Sequence, residues 1–225
     1  MFNELLKACE ETLFMCVTAG VISTLVGLPL GTLLTITSAN HLIEKPLLHK
    51  ILKTSLTLLN AIPYVFWLVI IIPFTLLWFG NGEGCLLAIL PLTIAIIPAT
   101  ALATASALKK VPSSLVESAL SLGASNFQAL RYVLFPEARM DLLQSSLKIL
   151  QELITYSLLA GILGSGGLGH LLFDKGYQVF EGSYVFAIAV LLAALSMAFN
   201  KSLPWRGNLS LSSSTQKSRP EFKNS

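Results

Sequence analysis

Residues Glu117–Pro136 read ESALSLGASNFQALRYVLFP, the one long amphipathic segment in a chain otherwise built of apolar runs. Ser114 stands three residues before Glu117, the spacing of a capping box, in which each residue satisfies a backbone donor of the other. Gly123 supplies the left-handed residue that commonly closes a helix. Ser125 and Gln128 repeat the box, Phe127, Leu130, Arg131 and Leu134 follow at helical spacing, and Pro136 is expected to stop the run. Local chemistry therefore predicts two short helices joined at Gly123.

What flanks this stretch decides where it lies. Of 225 residues, 54% are hydrophobic and only 12% charged, about half the charge of an ordinary soluble domain. Leu13–Thr37 and Leu56–Phe79 contain no Asp, Glu, Lys or Arg, and about 20 apolar residues suffice for a helix to cross a bilayer. Five spans are expected, at Leu13–Thr37, Leu56–Phe79, Cys85–Leu108, Leu142–Leu163 and Tyr184–Leu203. The chain reads as an all-α integral membrane protein. Residues 1–11 are expected to form an external segment, 12–200 one membrane domain and 201–225 a polar cytoplasmic tail without a fold of its own.

Lys and Arg set the orientation. Lys45, Lys50 and Lys53 follow the first span, Lys109, Lys110, Arg131 and Arg139 follow the third, and Lys201, Arg206, Lys217, Arg219 and Lys223 lie in the tail. Only Lys7 and Lys175 fall on the opposite side, and Lys148 lies within the fourth span. The N-terminus is expected outside, with the 109–141 loop and the tail in the cytoplasm. Glu4, Glu10 and Glu11 against Lys7 give the N-terminal region the wrong sign for a cleavable signal peptide. A hairpin resting on lipid would carry a polar face rich in Lys and Arg. Residues 117–136 hold one Arg, so a groove on a soluble protein suits them better.

Inside the spans, Pro29, Pro63, Pro73, Pro91 and Pro98 each remove a backbone hydrogen bond and are expected to bend their helices. Such helices suit a protein with a pathway through it. Gly27 and Gly31, and the stripe Ala99, Ala103 and Ala107, allow close helix packing, within one subunit or across a dimer. Glu152 falls ~15 Å into the fourth span by helical rise. An intramembrane carboxylate is a candidate for function, and Lys148 one turn away offers an ion pair instead. Tyr156 lies a turn further along the same face.

Several patterns carry no chemistry. Gly164–Gly169 match the dinucleotide pattern GxGxxG, but they follow an apolar helix where that site needs a preceding strand. A turn or closely packed backbone at the outer mouth explains them better. There is no P-loop, no metal-ligand spacing among His41, His49 and His170 (all expected in loops), and no paired spacing among Cys9, Cys16 and Cys85, which read as packing residues. A net charge of +3 without a basic stripe gives no reason to expect nucleic acid.

Glu117-Ser118-Ala119, three residues to Gly123, then nine to Val133-Leu134-Phe135-Pro136, resembles the EAA motif of ABC-importer permeases. Ser replaces the second motif residue, and Phe precedes the proline. Asn60-Ala61-Ile62-Pro63, Ile72-Pro73-Phe74-Thr75, Tyr156-Ser157 and Gly166-Gly167-Leu168-Gly169 are similar to the methionine-import permeases, and the likeness runs from about Glu11 to Leu195. Glu152 and the long Ser-rich tail depart from that pattern.

The resemblance implies a type I importer permease fold, with a cytoplasmic coupling-helix pair between the third and fourth spans. It implies docking to the ATPase through Glu117, Ser118, Ala119, Gly123, Ala124, Phe127, Leu130 and Pro136, with Glu152, Tyr156 and Ser157 as pathway-lining candidates. The chain would work as a homodimer in a bacterial inner membrane, with two ATP-binding cassette subunits and an external substrate-binding lipoprotein. It would hold no catalytic residue, metal or cofactor of its own, ATP and Mg belonging to the ATPase. The cargo would be L- or D-methionine, or alternatively another amino acid or small peptide. Readings from other classes are a proton-coupled secondary transporter using Glu152 and a non-transporting membrane scaffold.

Overall fold

A computed structural model describes residues 2–38, 45–79 and 84–202. All regular structure among them is helical: α1 (Phe2–Ile36), α2 (Pro46–Ala61), α3 (Tyr64–Phe79), α4 (Gly84–Leu108), α5 (Ser113–Ser121), α6 (Asn126–Ala129), α7 (Phe135–Ala160), α8 (Gly167–Leu171) and α9 (Gly182–Ser202). Wider π turns join α6 to α7 at Leu130–Leu134 and extend α7 through Gly161–Ser165 and α8 through Leu172–Gln178. Among the described residues, α1, α4 and the continuous run Asn126–Ser165 are each long and apolar enough to cross a membrane. A bent pair, α2 with α3, passes the same test together, and Gly182–Ala198 is a shorter apolar helix.

α1 and α4 form the spine, because small residues let them touch. An added Cβ on Gly27 would sit 2.8 Å from Thr100, and one on Gly31 would collide with the Ala101 carbonyl and Thr104. The glycine pair therefore works within the subunit. Its receiving surface is Thr100–Ala101–Thr104, one position round from the expected alanine stripe, of which Ala99 and Ala103 are half-buried against the core. Around the spine, Met15, Cys16 and Ala19 of α1 meet Tyr64 and Leu68 of α3, Ala88, Leu92 and Ile96 of α4, and Ile149 and Leu153 of α7. Threonine hydroxyls inside this bundle donate back to their own helices, as Thr35 does to Gly31 and Thr100 to Ile96. This matters because an unpaired polar group in hydrocarbon costs several kcal/mol.

Several expectations are corrected. Leu56–Phe79 is not one helix: α2 and α3 meet at 88°. Ile62, held extended (φ −71°, ψ 122°), takes the conformation that a following proline favours. By contrast, Pro29, Pro73, Pro91 and Pro98 sit within continuous helices. Pro136 does not end its helix either. The Phe135 N–H bonds the Leu130 carbonyl, an i→i−5 bond that widens the turn just before the proline, where a tight α-turn would press the ring on a carbonyl. His49 and His170 lie in helices, not loops, and His49 Nδ1 sits 2.9 Å from the Leu34 carbonyl. His41, and the tail beyond residue 202, fall outside the described residues.

Candidate coupling surface and pathway residues

The EAA-like stretch folds as a helical hairpin, and each of its turns has a cause in the sequence. α5 begins at Ser113 with Pro112 in the cap position and no side-chain cap bond. The expected Ser114–Glu117 box is therefore absent, since the helix starts at Ser113 behind Pro112 (φ −59°), two residues earlier than a Ser114 cap would set, and Ser114 falls in its first turn. The exit matches expectation. Gly123 (φ +90°) donates to the Leu120 carbonyl and Ala124 to that of Ala119, which are the two crossed bonds of a Schellman ending. The second box forms as read: Gln128 N–H donates to Ser125 Oγ at 3.3 Å, and Ser125 N–H donates to Gln128 Oε1 at 2.8 Å. Such a cap contributes about 1 kcal/mol.

A small core holds the hairpin together. Leu108, Val111, Val116, Ala129, Leu134 and Ala138 are buried against one another, with Leu120 and Leu130 beside them. Leu130, expected at the docking surface, thus belongs largely to this support. Below it, Lys110 Nζ donates to Asp141 Oδ1 at 2.7 Å, joining the end of α4 to α7. Burial, and then the neighbouring Lys53 ammonium, hold Lys109 below the usual lysine range.

Facing away from this core, Glu117, Ser118, Gly123 and Pro136 are exposed, while Ala119 and Ala124 are half-buried. Phe127 is 65% exposed, and Leu122, on the other side of Gly123, is 90% exposed. Tyr132 and Leu115 are exposed as well. Leu122, Tyr132 and Leu115 were missed in the sequence reading. The available signal was apolar residues at positions that the hairpin core does not need.

The three pathway candidates of α7 have separate settings. Ser157 is buried, and its hydroxyl donates to the Ile154 carbonyl of its own helix. Tyr156 stacks on Tyr64, with ring centroids 4.4 Å apart and planes 11° apart. The Tyr64 hydroxyl is buried with no partner among the described residues. Glu152 is exposed on the bundle surface, and no ion pair joins it to Lys148 among the described residues.

At the other end of the bundle, the GxGxxG pattern lies at the break between α7 and α8, where Gly164, Gly166 and Gly167 all have positive φ. Helix α7, not a strand, leads into it, so the dinucleotide site lacks its frame.

This architecture has relatives. A family profile described as "Binding-protein-dependent transport system inner membrane component" matches residues 27–203. The "Probable D-methionine transport system permease protein MetI" of Vibrio cholerae is 38% identical over 191 residues, covering 85% of each chain. "D-methionine transport system permease protein MetI" of Escherichia coli K12 is 33% identical over 157 residues, covering 70% of this chain and 72% of that one. Among solved structures, a chain of the MetNI methionine ABC transporter in an inward-facing conformation superposes with a TM-score of 0.82 at 30% identity, covering 90% of this chain and 96% of that one. A chain of an amino acid ABC transporter solved with histidines shares the fold, at a TM-score of 0.71 and 19% identity. A family match over most of the chain, with relatives above 30% identity along most of their own length, makes this protein a member of the binding-protein-dependent transport system inner membrane component family.

Proposed function

We propose that the chain is the membrane permease subunit of an ATP-driven methionine importer, for the D-form, the L-form or both. The observation that carries this reading is the apolar rim of Leu122 and Phe127 around Gly123, held on a capped hairpin between two long apolar helices. Leucine and phenylalanine exposed to this degree at the tip of a rigid hairpin suit burial in a protein groove. A similarity to methionine permeases along most of the chain supplies the cargo class.

In this reading the bent pair α2–α3 and the shorter α9 complete five spans, with the N-terminus outside and the hairpin in the cytoplasm. Two copies form the pathway, two ATPase subunits receive the hairpins, and an external binding protein delivers the cargo. The ATPase closes on ATP, moves the hairpins, and shifts the dimer between two packings. ATP is hydrolysed by that subunit. This chain binds, orients and transmits.

The test is uptake of labelled D- and L-methionine into proteoliposomes holding the permease, its ATPase and its binding protein. ATP-dependent accumulation that unlabelled methionine suppresses, and that other amino acids do not, is the expected result. Suppression by a different amino acid alone would reassign the cargo. Uptake by the permease alone under a pH gradient, abolished in Glu152→Gln, would replace the importer with a proton-coupled carrier.

A further inference from the structure

Two neighbouring side chains of α1 hold backbone that lies 156 residues away in sequence. Gly167 N–H donates to Glu11 Oε2 at 2.8 Å, and Leu168 N–H donates to Thr12 Oγ1 at 2.9 Å, while the same Thr12 hydroxyl donates to the Ala8 carbonyl. These amides open α8, whose own cap position is Gly166 and offers no side-chain bond. The first amides of a helix need acceptors, and a carboxylate there also meets the positive end of the helix dipole. α1 therefore supplies the cap that α8 lacks. The arrangement explains Gly167 as well: at φ +72°, an added Cβ would lie 2.6 Å from Thr12 Oγ1 and 2.9 Å from Met15 Cε.

The contact joins two parts that are far apart in the chain. α1 is locked to α4 through Gly27 and Gly31. The α7–α8 junction is a break with positive φ at Gly164, Gly166 and Gly167, its two arms packed on each other at Gly161 and Gly169. In its first turn Leu168 is buried against Ala8 and Ile188, and the clamp adds the polar tie that holds the two leading amides in register. A cleft of about 690 Å³ runs beside the clamp, lined by Lys7, Glu10, Glu11, Phe14, Cys85 and Gly166.

We propose that Glu11 and Thr12 are positioning residues that latch the α7–α8 break to the α1–α4 spine and thereby set how readily the outer end of the pathway opens. The role within a cycle rests on the importer reading; the latch itself does not.

Cys85, whose Sγ would lie 3.6 Å from a Cβ on Gly166, is a native reporter beside the break. The assembled complex is placed in nanodiscs with Cys9 and Cys16 replaced, and Cys85 is labelled with a membrane-impermeant maleimide without cargo. Glu11→Ala with Thr12→Val is expected to speed labelling at least fivefold and to cut ATP-dependent methionine uptake about tenfold, in a complex that remains monodisperse. Glu11→Gln, which keeps an oxygen acceptor, and Thr12→Ser, which keeps the hydroxyl, should stay within twofold of the parent in both. Parental labelling in the double variant overturns the latch, as does a Glu11→Gln variant that behaves like Glu11→Ala. A parent complex that moves no methionine would remove the importer reading and leave the labelling comparison intact.

Discussion

Lys110 and Asp141 tie the two ends of the hairpin to one another, Nζ to Oδ1 at 2.7 Å. Lys110 follows α4, Asp141 lies early in α7, and the hairpin hangs between them. Lys110 is 62% exposed against 18% for Asp141, so water screens the pair and its stability value is about 0–1 kcal/mol. In this geometry it holds the end of α4 to α7 at the base of the hairpin. Asp141→Ala should leave the thermal midpoint of the purified protein within a few degrees and lower methionine uptake per ATP hydrolysed two- to fivefold. Exchanging the charges, Lys110→Asp with Asp141→Lys, should recover most of that ratio. An unchanged ratio in Asp141→Ala would remove the tie from the mechanism.

Gly123 gives a sharper case. Nothing lies within 4 Å of a Cβ added there, so a substitution is penalised through the backbone alone, by roughly 1–2 kcal/mol for a left-handed residue. Gly123→Val should insert normally, fail to retain the ATPase through affinity purification, and lose uptake. Gly123→Asn should be milder, because asparagine tolerates positive φ. Full coupling in the valine variant would count against the Schellman exit as a requirement for docking.

The rim at Leu122 and Phe127 separates docking from folding. Both side chains stand in solvent, so truncation removes little internal packing. Leu122→Ala with Phe127→Ala should keep the unfolding midpoint of the isolated permease and weaken ATPase binding by tenfold or more, as buried interface anchors do. Binding within a factor of two of the parent, measured by biolayer interferometry in detergent, would move the docking site elsewhere.

How legible these features were in the sequence depended on distance along the chain. The apolar runs, the Ser125–Gln128 box and the Gly123 exit rest on residues a few positions apart, and the structure contains them. Two local readings failed because a neighbour outcompeted them: Pro112 took the cap place from Ser114, and a π turn carried the helix past Pro136. The 88° break at Ile62–Pro63 had a signal in the restricted residue before proline, although the same residue type at Pro91 and Pro98 left α4 continuous. Pro91 and Pro98 are buried where Pro63 is exposed, and sequence does not display that difference. Glu11 with Gly167, and Tyr64 with Tyr156, are partners only in the folded chain. No spacing rule reaches them.

The α1–α4 spine carries its own prediction. The surfaces at Gly31 and Ala101 already touch, so a single methyl has nowhere to go. Overpacking a filled interior costs about 1–3 kcal/mol, and backbone carbonyls yield less than side-chain tips. Gly31→Ala should lower the thermal midpoint in detergent by several degrees. Gly182→Ala, at a position with nothing within 4 Å, should not. Equal midpoints for the two would show that α1 can slide on α4 without loss.

At the N-terminal ends of α1 and α9, Tyr184 donates its hydroxyl to Glu4 Oε2 at 2.6 Å. That bond is the main reason the Glu4 carboxyl is held below the usual glutamate range. A depressed carboxyl pKa means that the tie adds stability above the ordinary glutamate range and loses it as pH falls through the lowered folded value. The tie is therefore intact at neutral and alkaline pH and weakens only in acid. Titrating Glu4 by NMR with carboxyl-labelled glutamate, assigned against Glu4→Gln, should give a midpoint below that of an unperturbed glutamate. Tyr184→Phe removes the donor and should move the midpoint upward toward the ordinary range. Coincident midpoints in the parent and in Tyr184→Phe would mean that the hydroxyl does not hold the carboxylate in solution, and the placement of α9 beside α1 would then be assigned to apolar packing such as the Ala8, Leu168 and Ile188 cluster.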